Sequence, residues 1–198
     1  AVGYYSAATR LTETLDIIAG SLMVSLFPLL SRTYKEDRPA FEAIFRKAFR
    51  ALLLVGLPLA LGGSLVAGDL VVLFFGETYA RSGVTLTILL WYTFFGFFST
   101  LLVNLLIICG RQVMDAWISL GLVLANIGLN FFLIPPYSYN GAAVSTVLIE
   151  VFGTAAMFLY LAKQPAIRLG FPSREIWPAL KINAVFLPVL LGFKYIFQ

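Results

Sequence analysis

Residues 82–110 read SGVTLTILLWYTFFGFFSTLLVNLLIICG, an uncharged run of 29 positions closed by Arg81 on one side and Arg111 on the other. A hydrocarbon core about 30 Å thick is crossed by roughly 20 apolar helical residues. The run is far longer than a barrel strand and lacks strict polar alternation, so it reads as a transmembrane helix over 83–109. Only a helix satisfies its own backbone hydrogen bonds where no water is present.

The neighbouring stretches repeat the pattern. Residues 116–149 carry no charge over 34 positions, too long for one crossing. Pro135, Pro136, Asn140 and Gly141 form a turn signal that divides the stretch into spans at 114–134 and 142–162. Towards the N-terminus, residues 51–68 are uncharged and open a span at 51–75, and residues 17–31 extend back to Ser6 as a span at 6–31. A last candidate, 176–197, carries Lys181, Lys194, Pro178 and Pro188. The expected fold is an all-α integral membrane bundle of about six transmembrane helices.

Composition supports that reading. The chain is 60% hydrophobic and 12% charged, about half the charge of a soluble domain. It has no His and one Cys, Cys109. That excludes Ser-His-Asp and Cys-His catalysis, histidine zinc sites, an intramolecular disulfide and thiolate metal clusters. No metal site, cofactor or paired-carboxylate enzyme centre is expected. The net charge of +4 is assigned to membrane orientation, not to nucleic acid.

The connection at 32–50 reads RTYKEDRPAFEAIFRKAFR. Phe41, Ile44, Phe45 and Phe49 share a helical face beside Arg46, Lys47 and Arg50, and Pro39 suits a first turn. An amphipathic helix over about 38–50, lying at the headgroups, is expected. Arg32, Lys35, Arg38, Arg46, Lys47 and Arg50 fall on the same side as Arg111, Lys163, Arg168 and Arg174, against Arg10, Arg81 and Lys194 opposite. The excess places 32–50 in the cytoplasm and the chain start outside. The chain begins with Ala1, and a complete protein starting in the cytoplasm would need an odd number of earlier spans. A piece of a longer protein is therefore expected.

Ionisable side chains within a span cost about 2.5 to 3.5 kcal/mol unless they meet water or a partner. The first span holds Arg10, Glu13 and Asp16 in its outer half, spread over about 120° of one side, with Gly20 in the same sector. Leu11, Leu15, Ile18 and Leu22 form the other face. The stripe reads either as the lining of a hydrated cavity, with Arg10, Glu13 and Asp16 as substrate-binding residues, or as an interfacial turn with an Arg10–Glu13 pair. Glu150, in mid-span, reads either as an ion-coupling group or as a structural hydrogen-bonding group. Asn104, Asn126 and Asn130 read first as interhelical hydrogen-bonding groups, Asn130 with a coupling role as its alternative.

Five motifs in order carry a family resemblance: VGYYSAATRL (Val2–Leu11), SLFPLLSR (Ser25–Arg32), LFFGETYARSG (Leu73–Gly83), ICGRQ (Ile108–Gln112) and NIGLNFFLIPPYSYNGAAVSTVLIE (Asn126–Glu150). The chain resembles the polysaccharide biosynthesis flippases, in the superfamily that also holds multidrug exporters and lipid II flippases. The resemblance implies half of a two-bundle transporter, most of the C-terminal bundle, in the cytoplasmic membrane of a prokaryote. It implies flipping of polyprenyl-pyrophosphate-linked glycan by alternating access, with the missing N-terminal bundle and a coupling ion, sodium or proton, as partners. It implies that Arg10 attracts the substrate pyrophosphate and that Glu13 stands in the cavity. Thr9 stands where the lipid II flippase has an acidic residue. An ion-coupled multidrug exporter is the alternative, led by Glu13, Asp16 and Glu150. A membrane enzyme acting on polyprenyl phosphates is the third reading, for which the cytoplasmic acids are too dispersed.

Overall fold

The structure is a computed structural model that describes residues 2–164 together with Pro178, Lys181 and Asn183. The span expected at 176–197 lies outside the described residues apart from those three positions. Four long helices follow one another: α1 (Val2–Glu36), α2 (Arg38–Phe75), α3 (Ser82–Ile108) and α4 (Gln112–Ala162), with a short 3₁₀ turn at Glu77–Tyr79. Each is long and apolar enough to cross a membrane, and no strand occurs among the described residues. The chain is an all-α, multi-pass membrane protein.

At the lower end of the bundle, α1 passes into α2 through Asp37. Its backbone N–H donates to the Thr33 carbonyl at 2.9 Å, and its carboxylate accepts from the Ala40 N–H at 3.0 Å. That bond satisfies one of the free donors at the start of α2, beside a proline whose missing N–H costs nothing there. At the upper end, Gly76 ends α2 with φ of 84°, a backbone conformation that glycine adopts without strain.

The 35 residues of α1 and 38 of α2 extend about 52 and 57 Å at the α-helical rise. Both are longer than a hydrocarbon core is thick. The segment expected as an amphipathic helix over about 38–50 is helical, and it joins the second span without a break. That segment is the continuous beginning of α2, and Phe41 and Phe45 are each 1% exposed, packed in the core with Leu30, Leu101 and Leu105. Ile44, Phe49 and Tyr34 pack against the same cluster. Neighbouring helices thus bury the central part of the aromatic stripe. Arg46 and Lys47 stay exposed.

Helix α3 occupies the middle, in contact with α1, α2 and α4. Its close approach to α2 requires glycine: a Cβ on Gly83 would stand 2.9 Å from the Gly68 Cα. A smaller upper cluster of Ala8, Ala67, Val71, Leu86, Leu89 and Ala143 continues the core.

The 51 residues of α4 would measure about 77 Å if straight, but the helix folds back at Ser138, where φ is 53° and ψ is −133°. Contacts pair positions equidistant from that turn. A Cβ on Gly141 would overlap the Leu133 carbonyl oxygen, one on Gly153 would lie 2.7 Å from Leu122 Cδ1, and Ser145 bonds to Asn130. Two antiparallel arms result, residues 112–137 and 139–162. Pro135 and Pro136 sit within the first arm's helical trace, and the reversal falls two residues later. The second arm packs on α3. The first turns Trp117, Leu124, Ile127 and Phe131 outward, the apolar exterior expected towards lipid.

Candidate functional site

Helix α1 divides lengthwise. Tyr5, Ala8, Leu15, Ala19 and Met23 pack into the two core clusters. The opposite face, following the helical repeat through Gly3, Ser6, Arg10, Glu13, Ile17 and Val24, is exposed along its length. Arg10 and Glu13 lie on this face, one turn apart, in the upper half of the helix.

Arg10 lines a cavity of about 190 Å³ with Gly3, Ser6, Ala7, Phe75 and Tyr79. The pair that the sequence offered as one alternative, Arg10 with Glu13, is not formed. Ion pairs are formed elsewhere, by Arg32 with Glu36 at 2.7 Å and by Arg46 with Glu42 at 3.6 Å. Among the described residues, no carboxylate pairs with the Arg10 guanidinium.

Asp16 is more buried than Arg10 and Glu13. It stands within electrostatic range of Glu13 on its own helix and of Tyr92 and Glu150 on α3 and the second arm of α4. Glu150 accepts a hydrogen bond from Ser99 of α3 and lies over Gly96, with Oε1 3.9 Å from the place of a Cβ there. Residues 134 positions apart in sequence, Asp16 and Glu150, thus stand within electrostatic range of each other. Sequence reasoning singled out both acids but not this proximity, nor Tyr92, Gly96 and Ser99 near Glu150, because nothing in local periodicity fixes which helices are neighbours.

The amides make a separate group. Asn130 donates to Asn126 Oδ1 at 2.7 Å, and the Ser145 hydroxyl reaches Asn130 Oδ1 at 2.5 Å and the Ala142 carbonyl at 2.8 Å. Thr85 donates to Asn140 at 2.7 Å, tying the turn of α4 to α3. Asn104 donates to the Thr100 carbonyl of its own helix at 2.8 Å. Beside it, a groove of about 380 Å³ between the lower halves of α1 and α3 is lined by Gly20, Val24, Phe27, Thr100 and Asn104.

Phe94, Phe95 and Phe98 line an apolar cavity of about 490 Å³ with Phe49, Val151 and Phe158, on the side of α3 facing α2 and the second arm.

The family model described as "Lipid II flippase MurJ" matches residues 1–197. Among curated relatives, a capsular polysaccharide biosynthesis protein, CapF, of Staphylococcus aureus is 26% identical over 164 residues, 82% of this chain and 41% of that protein. A protein of Shigella flexneri named "Putative O-antigen transporter" is 27% identical over 145 residues, 73% of this chain and 34% of that protein. The chain thus spans less than half the length of the curated relatives it matches.

Proposed function

The chain belongs to the lipid II flippase MurJ family, a family of transporters and not of enzymes, and we propose that it forms one bundle of a transporter that moves polyprenyl-pyrophosphate-linked saccharide across the membrane. On this reading the chain is most of a C-terminal bundle. An N-terminal bundle faces the exposed side of α1, and the two rock to open a central cavity to one leaflet at a time. The relatives' names, one for capsular polysaccharide biosynthesis and one for O-antigen transport, favour a saccharide cargo. The proposed setting is the cytoplasmic membrane of a prokaryote, with the α1–α2 turn in the cytoplasm, where the excess of Lys and Arg belongs.

The observation that carries the proposal is Arg10: a cation within an apolar helix, on its exposed face, lining a cavity, with no carboxylate paired to it among the described residues. A lone cation there is costly in hydrocarbon and well placed in a hydrated path used by an anion. Guanidinium geometry suits phosphate oxygens, which it binds through paired N–H donors. Glu13, one turn away, supports release by limiting how firmly the anion is held. The polyprenyl tail stays in lipid while the pyrophosphate and sugar cross between the bundles.

Asp16 and Glu150 are assigned to coupling. As carboxyl groups inside membrane-spanning helices, they can take up a proton or a sodium ion when the cavity opens to the side that supplies it. Asn130 is assigned a structural role, since its side chain holds the arms of α4 together. The same acidic pair favours a second reading, an ion-coupled exporter of organic cations. Competition by organic cations for transport separates the two readings.

The test is flipping of a polyprenyl-pyrophosphate saccharide by the full-length protein in proteoliposomes. Arg10→Ala is expected to reduce the rate by at least about tenfold, the effect of a charge-assisted contact worth roughly 1.4 kcal/mol or more, with membrane insertion intact. Unchanged flipping would refute the role of Arg10.

A further inference from the structure

The cavity that holds Arg10 is walled on its other side by aromatic rings. Tyr79, from the 3₁₀ turn, lies across α1 with its ring and hydroxyl 3.8 Å from the place of a Cβ on Gly3. Phe75 packs beside Tyr79 at 6.0 Å between centroids. Tyr4 meets Tyr79 edge-on at 5.8 Å and Tyr139 at 5.8 Å. Phe75, Tyr79, Tyr4 and Tyr139 are all partly exposed, Tyr79 with one side packed against the upper cluster. Aromatic residues at a membrane interface ordinarily face the lipid headgroups. Here Tyr79 and Phe75 instead join Gly3, Ser6 and Ala7 in the wall of the Arg10 cavity.

Chemistry sets what lies next to a bound pyrophosphate. In a polyprenyl-pyrophosphate glycan the first sugar is bonded through its anomeric carbon directly to a phosphate oxygen. A residue that grips the phosphate therefore has that sugar within one ring length. The cavity of about 190 Å³ has the scale of a single sugar ring. A pyranose offers an apolar face of C–H groups, which the electron-rich face of an aromatic ring attracts, and edge hydroxyls, which the Tyr79 phenol and the Ser6 hydroxyl can bond.

The geometry points to a subsite for the first sugar of the cargo: Tyr79, backed by Phe75 and Tyr4, stacks on the sugar attached to the pyrophosphate that Arg10 holds. This rests on the flippase reading above and adds to it a specificity element at the upper end of the cavity. Residue Tyr79 thereby distinguishes a glycosylated polyprenyl pyrophosphate from the bare carrier. Its ring provides the discrimination, and its hydroxyl contributes less, because sugar hydroxyls also find water at the exposed rim.

The experiment measures binding of two probes to the full-length protein in nanodiscs: a short-chain polyprenyl pyrophosphate carrying one hexose, and the same polyprenyl pyrophosphate without sugar. Tyr79→Leu, which keeps bulk but removes the ring, is expected to weaken the glycosylated probe by about tenfold and leave the bare probe unchanged. Tyr79→Phe is expected to bind both like the unaltered protein, which also guards against misreading a folding defect. Equal loss on both probes, or no loss on either, overturns the subsite while leaving the flippase reading standing if Arg10→Ala still weakens both. Absence of binding of either probe to the unaltered protein overturns the flippase reading, and the subsite with it.

Discussion

The Ser145 hydroxyl meets the Asn130 side-chain carbonyl at 2.5 Å across fifteen residues of a single helical trace. In a straight helix those residues would stand about 22 Å apart. Their contact makes α4 two membrane-crossing arms and lets the second arm bring Glu150 to the centre of the bundle.

A cross-linking experiment follows from that contact. With Cys109 replaced by Ser, Asn130→Cys and Ser145→Cys in the same chain are expected to form an oxidation-dependent intramolecular bridge in membranes, read as a mobility shift after reduction. A pair on one straight helix would not bridge, since disulfides need Cα atoms within roughly 7 Å.

Removing the Ser145 hydroxyl alone is a milder change. Ser145→Ala is expected to destabilise the bundle by about 0.6 to 1.7 kcal/mol, the range for hydrogen bonds between membrane helices. Thermal unfolding in detergent measures it. Asn130→Leu is expected to cost more, because it leaves Asn126 and Ser145 without their shared partner.

The packed aromatic stripe at the start of α2 gives an internal contrast. Phe45→Ala empties a site that is 1% exposed and is expected to cost about 3 to 5 kcal/mol. Phe131→Ala, at a site 76% exposed, is expected to shift detergent stability little. Equal small effects at both sites would return the stripe to the headgroups, where the sequence alone had placed it.

Cys109 lies just past the end of α3. Burial pushes its thiol above the ordinary cysteine range, against the Tyr34 hydrogen bond and the charges of Arg38 and Arg111, which pull the other way. A raised pKa leaves less thiolate at neutral pH, and the thiolate is the reactive form. Maleimide labelling in membranes is expected to be slow at pH 7. Its half-maximal rate should lie at a pH above about 8.5, the midpoint of a free thiol.

Glu150→Gln keeps a carbonyl oxygen for the Ser99 hydroxyl and so preserves local packing, but it removes the charge facing Asp16. Transport in proteoliposomes is expected to fall at least about tenfold and to lose its response to an imposed ion gradient, while thermal stability stays near that of the unaltered protein. A stability loss with coupling intact would make Glu150 structural.

Much of this architecture was legible in the sequence, because charge-free length is the property that a bilayer selects. Residues 83–109 foretell α3 within a residue, and Pro135 to Gly141 foretell the reversal in α4. The continuity of α2 was not legible: Arg46, Lys47 and Arg50 mark where the membrane ends, not where the helix does. Arg10, Glu13, Asp16 and Glu150 stood out as charges in apolar helices. That Arg10 and Glu13 lie exposed while Asp16 and Glu150 are partly buried depends on which helices touch, and so does the wall that Tyr79 makes beside Arg10.

The central claim is that the open face of α1 lines a hydrated path, and cysteine accessibility along that face tests it most directly. In the full-length protein with Cys109 replaced by Ser, single cysteines at Glu13, Ile17 and Gly20 are probed in membranes with a charged, membrane-impermeant thiol reagent. The account predicts labelling at all three positions and protection by a polyprenyl-pyrophosphate saccharide. Labelling confined to the helix ends, with Ile17 and Gly20 unreactive in the folded protein, would place this face against acyl chains and contradict it.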